Sequence, residues 1–166
     1  MDSRAILAEL PRLRRYARAL VGDRAAADDL VQDTLERAWS RFAQWRPESN
    51  LRAWLLTIMH HLRADQLRRR PAPFVAGVLP DDDPACRPTQ TDRLELADLA
   101  AAIAQLPEEQ RAVLLLVALE DMPYAEIANT LAIPVGTVMS RLARARDRLR
   151  RILDGRGDNP RLRVIQ

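Results

Sequence analysis

The chain has 166 residues, of which 48% are hydrophobic and 4% aromatic, enough for one ordinary domain or two small ones with buried cores. All 26 basic residues are arginines and face 23 acids, so a net charge of +3 is by itself weak evidence for nucleic-acid binding. The longest apolar run, 112–119, is far shorter than the roughly 20 residues of a membrane span, and the single Cys86 excludes an intramolecular disulfide.

These bounds predict a soluble, cytoplasmic, all-α protein. The composition is rich in Ala, Leu, Arg and acids, which favours helices. No N-terminal signal sequence is visible, and we expect no membrane insertion.

Two amphipathic helices are predicted near the start of the chain. The first covers 6–20 and ends where Gly22 can terminate a helix and Asp23 can cap the next one. The second covers 25–42. Its predicted apolar side consists of Leu30, Leu35, Ala38 and Phe42, flanked by Val31 and Trp39. Its polar side carries Asp29, Gln32, Asp33, Glu36 and Arg37.

A loop separates these helices from a third. Pro47 disfavours helix at Arg46, and Ser49 or Asn50 can cap the helix predicted over 51–69. The apolar positions of that helix are Trp54, Leu55, Ile58, Leu62 and Leu67.

A proline-rich segment divides the chain. Residues 71–92 hold five prolines and no sustained period, which indicates a flexible linker that includes an inert Cys86. We therefore predict two small helical domains, 1–70 and 93–154, joined by the linker 71–92 and followed by a loose tail, 155–166.

The second domain reads as four helices. One covers 94–106, and Pro107 begins the next in the first-turn position. A helix, a tight turn and a helix follow. Their predicted inward residues are Tyr124, Ile127, Ala128 and Leu131, then Val138, Leu142, Ala145 and Leu149. The last helix leaves an outer stripe, namely Thr137, Ser140, Arg141, Arg144, Arg148 and Arg151.

The outer stripe suits DNA. Arginine forks onto guanine edges or pairs with phosphates, and Thr and Ser serve either purpose. A solvated arginine-rich helix is the alternative. Helix-turn-helix spacing, the near absence of acids on the stripe and the small hydroxyl residues at its start favour DNA binding.

Two segments resemble the extracytoplasmic-function (ECF) sigma factors of bacterial RNA polymerase. "LPEEQRAVLLLVALEDMPYAEIANTLAIPVGTVMSRLARARDRLR" resembles their region 4. "ADDLVQDTLERAW", followed by "WRPESNLRAWLLTIMHHLRADQLRRR", resembles their region 2. "NLRAWL" is also similar to the general-stress subgroup, although several subgroups share it. The resemblance implies a promoter-specificity subunit that recruits core polymerase and helps to melt DNA.

The resemblance also assigns residues. Asp29, Gln32, Asp33 and Glu36 match the surface that docks on the β′ clamp helices; solvation is the alternative. The minus-10 set, which would capture an unstacked base and nearby phosphates, is Arg46, Ser49, Asn50, Arg52, His61 and Arg63. Ser49 and Asn50 also suit plain helix capping. The minus-35 set is Thr137, Ser140, Arg141, Arg144, Arg146 and Arg148.

Four positions depart from the family pattern. His61 stands where many relatives have Asn, which leaves the minus-10 preference open, and Met139 stands where Lys or Arg is frequent. Ala132 replaces the usual turn glycine, and Pro123 replaces a common Ser cap.

Other functions weigh less on this sequence. A stand-alone helix-turn-helix regulator leaves the clamp-like helix unexplained. A sigma mimic that sequesters an anti-sigma factor tends to carry a degenerate reading helix and a receiver domain, whereas Ser140, Arg141 and Arg144 are kept here. We expect no enzyme, cofactor or metal, since His60 and His61 point about 100° apart on a helix. Expected partners are core polymerase (β′ clamp and β flap), promoter DNA and an anti-sigma factor.

Overall fold

The described chain is helical throughout its regular elements. The computed structural model describes residues 3–69 and 90–157. Its α-helices are α1 (Ser3–Val21), α2 (Arg24–Ser40), α3 (Leu51–Arg69), α4 (Gln90–Ala104), α5 (Glu108–Ala118), α6 (Tyr124–Leu131) and α7 (Val135–Gly157), with a 3₁₀ helix at Phe42–Gln44. The all-α prediction is confirmed for these residues. No helix among them is long and apolar enough to cross a membrane.

The three predicted helices of the N-terminal half (3–69) are present, although α1 begins at Ser3 and α2 ends at Ser40, so that Phe42 lies in the 3₁₀ helix and not in α2. Gly22 adopts a φ of 80° after α1, a left-handed conformation that favours glycine. Asp23 caps α2, because its Oδ2 accepts a 2.8 Å hydrogen bond from the Ala26 amide. Asn50, rather than Ser49, caps α3: its Oδ1 accepts from the amides of Arg52 and Ala53.

The C-terminal half (90–157) begins and ends differently from the prediction. Helix α4 starts at Gln90, inside the segment assigned to the linker, and α7 continues to Gly157, into the segment assigned to the tail. Pro107 is the N-cap of α5 and not its first helical residue. The rest of the predicted linker and tail, with Cys86, lies outside the described residues.

Some faces were predicted only in part. Leu67 is 45% exposed although it was placed on the apolar face, because the last turn of α3 carries no buried residue. Tyr124, predicted to face inward, is 38% exposed at the start of α6. Conversely, Leu56 and Met59 are buried, since α3 packs against helices on more than one side.

The two halves pack against each other around one buried apolar cluster. Helix α1 contacts α4 and α5, and α3 contacts α6. The cluster contains Leu13 and Met59 from the N-terminal half together with Leu116 and Ile127 from the C-terminal half. Burial of an apolar side chain of this size contributes about 1.5–3 kcal/mol, so the contact between the halves is largely hydrophobic.

The side chain of Arg111, on α5, joins the ends of two other helices. Its guanidinium donates to the carbonyls of Leu20 at 2.6 Å, Ala104 at 2.7 Å, Leu106 at 2.8 Å and Ile103 at 3.2 Å. The last carbonyls of a helix have no partner within it and carry its negative dipole end. Arg111 therefore caps the C-terminal ends of α1 and α4 at once, although burial lowers the pKa of its guanidinium.

We predict that Arg111→Met lowers the free energy of unfolding by about 3 kcal/mol or more, because several partly buried carbonyls lose their donor. The free energy of unfolding of Arg111→Lys should lie between those of the unsubstituted chain and Arg111→Met, since an ammonium reaches fewer carbonyls than a planar guanidinium. Urea unfolding followed by circular dichroism measures both. The exposed Arg150→Met is the matched control, and equal stability of R111M and R150M would contradict the capping role.

The turn between α6 and α7 contains a strained alanine. Ala132 has φ 53° and ψ 47°, the left-handed conformation that the missing turn glycine would have adopted easily. The Ile133 amide donates to the Ala128 carbonyl at 3.0 Å, which closes a Schellman-type turn. The helix-turn-helix geometry is thus kept in spite of the substitution.

We predict that Ala132→Gly raises the free energy of unfolding by about 1 kcal/mol, because glycine adopts this conformation without strain. Thermal unfolding checks it, and the expected rise in Tm is about 2–4 °C for a chain of this size. Ala143→Gly, at an exposed position inside α7, should have the opposite effect. A lower Tm for A132G would refute the strain argument.

Candidate nucleic-acid interface

The outer stripe of α7 is presented as predicted. Val138, Leu142 and Ala145 are buried against the rest of the C-terminal half, which turns the opposite face of α7 outward. Ser140, Arg144, Arg148 and Arg151 are exposed, and Thr137 and Arg141 are partly buried. The stripe is therefore a nearly continuous basic surface on one helix, of the size that a major groove accepts.

Two residues of the minus-35 set differ from the others. Arg141 Nη2 lies 3.1 Å from Glu109 Oε2, so its guanidinium is already held by a carboxylate from α5. Arg146 is exposed but lies roughly 180° around the helix from Thr137, given about 100° per residue. The six residues therefore do not share one face of α7, since Arg146 lies on the other side of the helix from Thr137.

The loop before α3 places the first three residues of the minus-10 set together. Arg46, Ser49 and Asn50 are all exposed. The Ser49 hydroxyl donates to the Arg46 carbonyl at 2.7 Å, while Asn50 caps α3. Beside the loop, the Phe42 ring lies 5.4 Å from that of Trp45 and 6.3 Å from that of Trp54. These rings form an aromatic cluster beside the loop, and Trp54 packs on the core as expected.

The helical members of the minus-10 set point in two directions. Arg52 and Arg63 share a face of α3, because eleven residues make just over three full turns. His61 lies roughly opposite to Arg52 on α3 and is exposed. The set therefore does not form one surface in this arrangement of the chain.

Both arginines on the shared face are paired with acids. Arg52 Nε lies 2.8 Å from Glu9 Oε2 and 3.7 Å from Glu120 Oε2. Arg63 binds Glu108 through two hydrogen bonds, of 2.7 and 2.9 Å. The Asn50 amide donates to Glu126 Oε1 at 3.0 Å. Three of these four carboxylates belong to the C-terminal half, and no sequence pattern indicated the pairings, because they depend on how the halves pack.

Glu120 is the least satisfied of these acids. Its side chain is 1% exposed, and neither oxygen accepts a hydrogen bond from the part of the chain that the structure describes. Burial raises the pKa of its carboxyl, although Arg52, Arg15 and Arg12 oppose the shift. It borders a polar cleft of about 440 Å³ between the halves, together with Arg12, Asn50, Arg52 and Glu126.

The acidic face of α2 is open to solvent. The four residues matched to the polymerase clamp are exposed, namely Asp29, Gln32, Asp33 and Glu36. The Gln32 amide donates to Glu36 at 3.2 Å, one turn along the helix. Trp39, 56% exposed, extends this face with an aromatic ring.

Tyr16 of α1 and His60 of α3 form a pair between these two helices. The Tyr16 hydroxyl lies 2.7 Å from His60 Nε2 and 3.4 Å from the Ala112 carbonyl of α5. Burial raises the pKa of Tyr16, and burial with the neighbouring His61 lowers the pKa of His60 to about 4. The imidazole is therefore neutral in the folded protein, and its tautomer decides whether Nε2 accepts from the phenol or donates to it. The described residues contain no group of three His, Cys, Asp or Glu that could hold a metal.

We predict that the free energy of unfolding falls by about 3 kcal/mol as the pH drops from about 6.5 to about 4, owing to His60. The unfolded histidine takes up a proton near pH 6.5, whereas the folded one does so only near its lowered pKa. His60→Gln keeps an acceptor for Tyr16 but does not titrate. Urea unfolding at several pH values should give a steeper acid loss for the unsubstituted chain, and parallel profiles would exclude this origin. The raised pKa of Glu120 changes the free energy of unfolding in the opposite direction as the pH falls. Both chains contain Glu120, so its contribution cancels when their free energies of unfolding are subtracted.

Family models match both halves of the chain. Residues 6–60 match the model described as the sigma2 domain of PhyR, and residues 96–149 match the model of sigma-70 region 4. The second match contains α5, α6 and most of α7, with every residue of the outer stripe except Arg151.

Individual relatives cover nearly the whole chain. The ECF RNA polymerase sigma factor EcfG of Rhodopseudomonas palustris is 40% identical over 92% of this chain and 86% of its own length. The ECF RNA polymerase sigma factor SigC of Mycobacterium tuberculosis is 38% identical over 79% of this chain and 72% of its own.

Solved structures agree. The sigma factor RpoE, crystallised with the anti-sigma factor NepR from Bartonella quintana, matches with a TM-score of 0.77 and 34% identity, over 91% of this chain and 95% of that one. CnrH, in complex with the cytosolic domain of CnrY, matches with a TM-score of 0.66 and 29% identity, over 92% and 86%. With this sequence identity, this coverage and a region 4 helix-turn-helix carrying an arginine stripe, the chain belongs to the ECF sigma factors of RNA polymerase.

Proposed function

We propose that this sigma factor directs core RNA polymerase to promoters with two elements and assists their opening. The observation that carries the proposal is the outer stripe of α7, a one-sided basic face on a region 4 helix-turn-helix. Ser140, Arg141 and Arg144 read base edges of the minus-35 element, with Thr137, Arg146 and Arg148 at the DNA backbone.

The N-terminal half has two further roles in this proposal. The exposed acidic face of α2 docks on the β′ clamp helices, and the C-terminal half contacts the β flap. The exposed loop residues Arg46, Ser49 and Asn50 hold an extruded minus-10 base, and Arg52, His61 and Arg63 contact nearby groups of the nontemplate strand. Extrusion costs a few kcal/mol, which the contacts of these loop residues with the extruded base must offset.

The protein then acts by binding and not by catalysis, in the cytoplasm where polymerase works. It uses no cofactor. The domain division follows the two halves, with residues between them as a linker that lets them reach separate promoter elements. We also propose an anti-sigma factor as a partner, since RpoE was crystallised with the anti-sigma factor NepR and CnrH was solved in complex with the cytosolic domain of CnrY.

Run-off transcription with purified core polymerase on genomic promoter fragments tests the proposal. The protein should produce discrete transcripts whose promoters share two upstream elements. Arg141→Ala with Arg144→Ala should reduce them by about tenfold or more, because each bidentate base contact is worth roughly 1–3 kcal/mol. Binding to core should be unchanged.

The matched control is Arg93→Ala with Arg150→Ala, which removes the same charge from exposed positions off the stripe. If both double variants transcribe alike, the assigned recognition face is wrong. If no fragment is transcribed although core binds, the promoter role itself fails.

A sigma mimic is a second candidate, favoured by one observation. The model that matches 6–60 is named for PhyR, and the anti-anti-sigma factor PhyR of Bartonella quintana, solved in complex with the anti-sigma factor NepR, has the same fold. That protein is 20% identical to this chain, so the likeness concerns fold alone. Capture of an anti-sigma factor without any run-off transcript would favour the mimic.

A further inference from the structure

Several polar contacts between the halves fall on the minus-10 set. Arg63 is bound by Glu108 through both oxygens, at 2.7 and 2.9 Å, and the Asn50 amide by Glu126 at 3.0 Å. Arg52, held by Glu9 of its own half, also faces Glu120 at 3.7 Å. The C-terminal half thus forms hydrogen bonds with two residues of the minus-10 set, Asn50 and Arg63, and a longer ion pair with a third, Arg52.

These partners resemble the proposed ligand in chemistry. A carboxylate offers two anionic oxygens to a guanidinium with the same fork geometry that a phosphate offers. Arg63, whose side chain is 11% exposed, donates two hydrogen bonds to Glu108 in this geometry and a third, of 3.4 Å, to Gln66. A DNA phosphate can reach it only after Glu108 has left.

The polar contact surface between the halves, called the seam below, favours their separation. The Asn50–Glu126 and Arg52–Glu120 contacts border the polar cleft of about 440 Å³, and Glu120 keeps two buried oxygens without donors in the described chain. A buried acceptor without a donor costs roughly 1–3 kcal/mol. The apolar cluster holds the halves together, whereas part of the polar seam opposes closure. The free-energy difference between the closed and open states is therefore small enough for a ligand to shift the equilibrium.

We propose that the C-terminal half masks the minus-10 surface of the free protein, with Glu108, Glu120 and Glu126 standing in for nucleic acid. The inference rests on the proposed function, since it takes Asn50, Arg52 and Arg63 as DNA contacts. Opening and DNA binding are then coupled: whatever favours the open state raises the affinity for single-stranded DNA, and DNA favours opening to the same extent.

The first test measures closure without DNA or polymerase. Spin labels at Ala25→Cys on α2 and Arg150→Cys on α7, both exposed positions, report the distance between the halves in a Cys86→Ser background. The reference chain should give one narrow distribution. Glu108→Gln with Glu126→Gln should give a broader and longer one. A reference chain as broad as the variant overturns the masking.

The second test measures the anisotropy of a fluorescein-labelled single-stranded DNA of mixed sequence. E108Q/E126Q should bind about tenfold more tightly, a coupling typical of linked sites. The control, E95Q/D154N, removes the same two charges from exposed positions away from the seam. Asp154 lies on α7, the helix with the basic stripe. If the loss of negative charge alone raised the affinity for DNA, the control would therefore gain at least as much affinity as E108Q/E126Q. Equal affinities of the two variants overturn the proposal.

An exchange of the two charges of the Arg63–Glu108 pair distinguishes loss of this pair from misfolding of the variant. Arg63→Glu alone should broaden the distance distribution, and Arg63→Glu with Glu108→Arg should narrow it again, because the pair is restored in reverse. If the exchange does not restore closure, the pair does not hold the mask. The distance results stand whatever run-off transcription gives, so failure of the mask and failure of the sigma function are distinguishable.

Discussion

The arrangement of the two halves depends on the Arg111 guanidinium. It donates to Leu20 at the end of α1 and to Ile103, Ala104 and Leu106 at the end of α4. Two helix ends that would repel each other through their negative dipole ends are thus brought to one cation. With α1 and α4 fixed in this way, α5 lies along α1, and its two acids reach Arg63 and Arg141.

The contact between the halves separates two kinds of interaction. Apolar burial around Leu13, Met59, Leu116 and Ile127 supplies affinity without regard to orientation. The polar pairs around Arg52 and Arg63 fix the register of one half on the other, since charged groups at wrong positions would be buried without partners. One consequence is that the residues proposed to bind DNA are also those that orient the closed chain.

Much of the fold follows from local signals. Gly22, Asp23 and Asn50 marked helix ends that the structure confirms, because a left-handed residue and a capping side chain act through backbone within a few residues. Leu67 and Tyr124 were misplaced, since periodicity gives a face but not the length over which a neighbouring helix covers it. The stripe on α7 was predictable for the same reason as the caps: 3.6-residue periodicity alone sorts Val138 inward and Arg144 outward.

The sequence by itself therefore determined the all-helical class, the helices of the described chain in their order, the helix-turn-helix with its basic face and the family. Only the tertiary structure decided which of the predicted DNA contacts are accessible. In the sequence, nothing indicates a partner for Arg52 or Arg63. In the structure, their nitrogens lie 2.7 to 3.7 Å from carboxylate oxygens of residues that are at least 43 positions away in the chain. Such pairs depend on where whole helices come to lie, which apolar burial and the Arg111 contacts set, and no local pattern records that outcome.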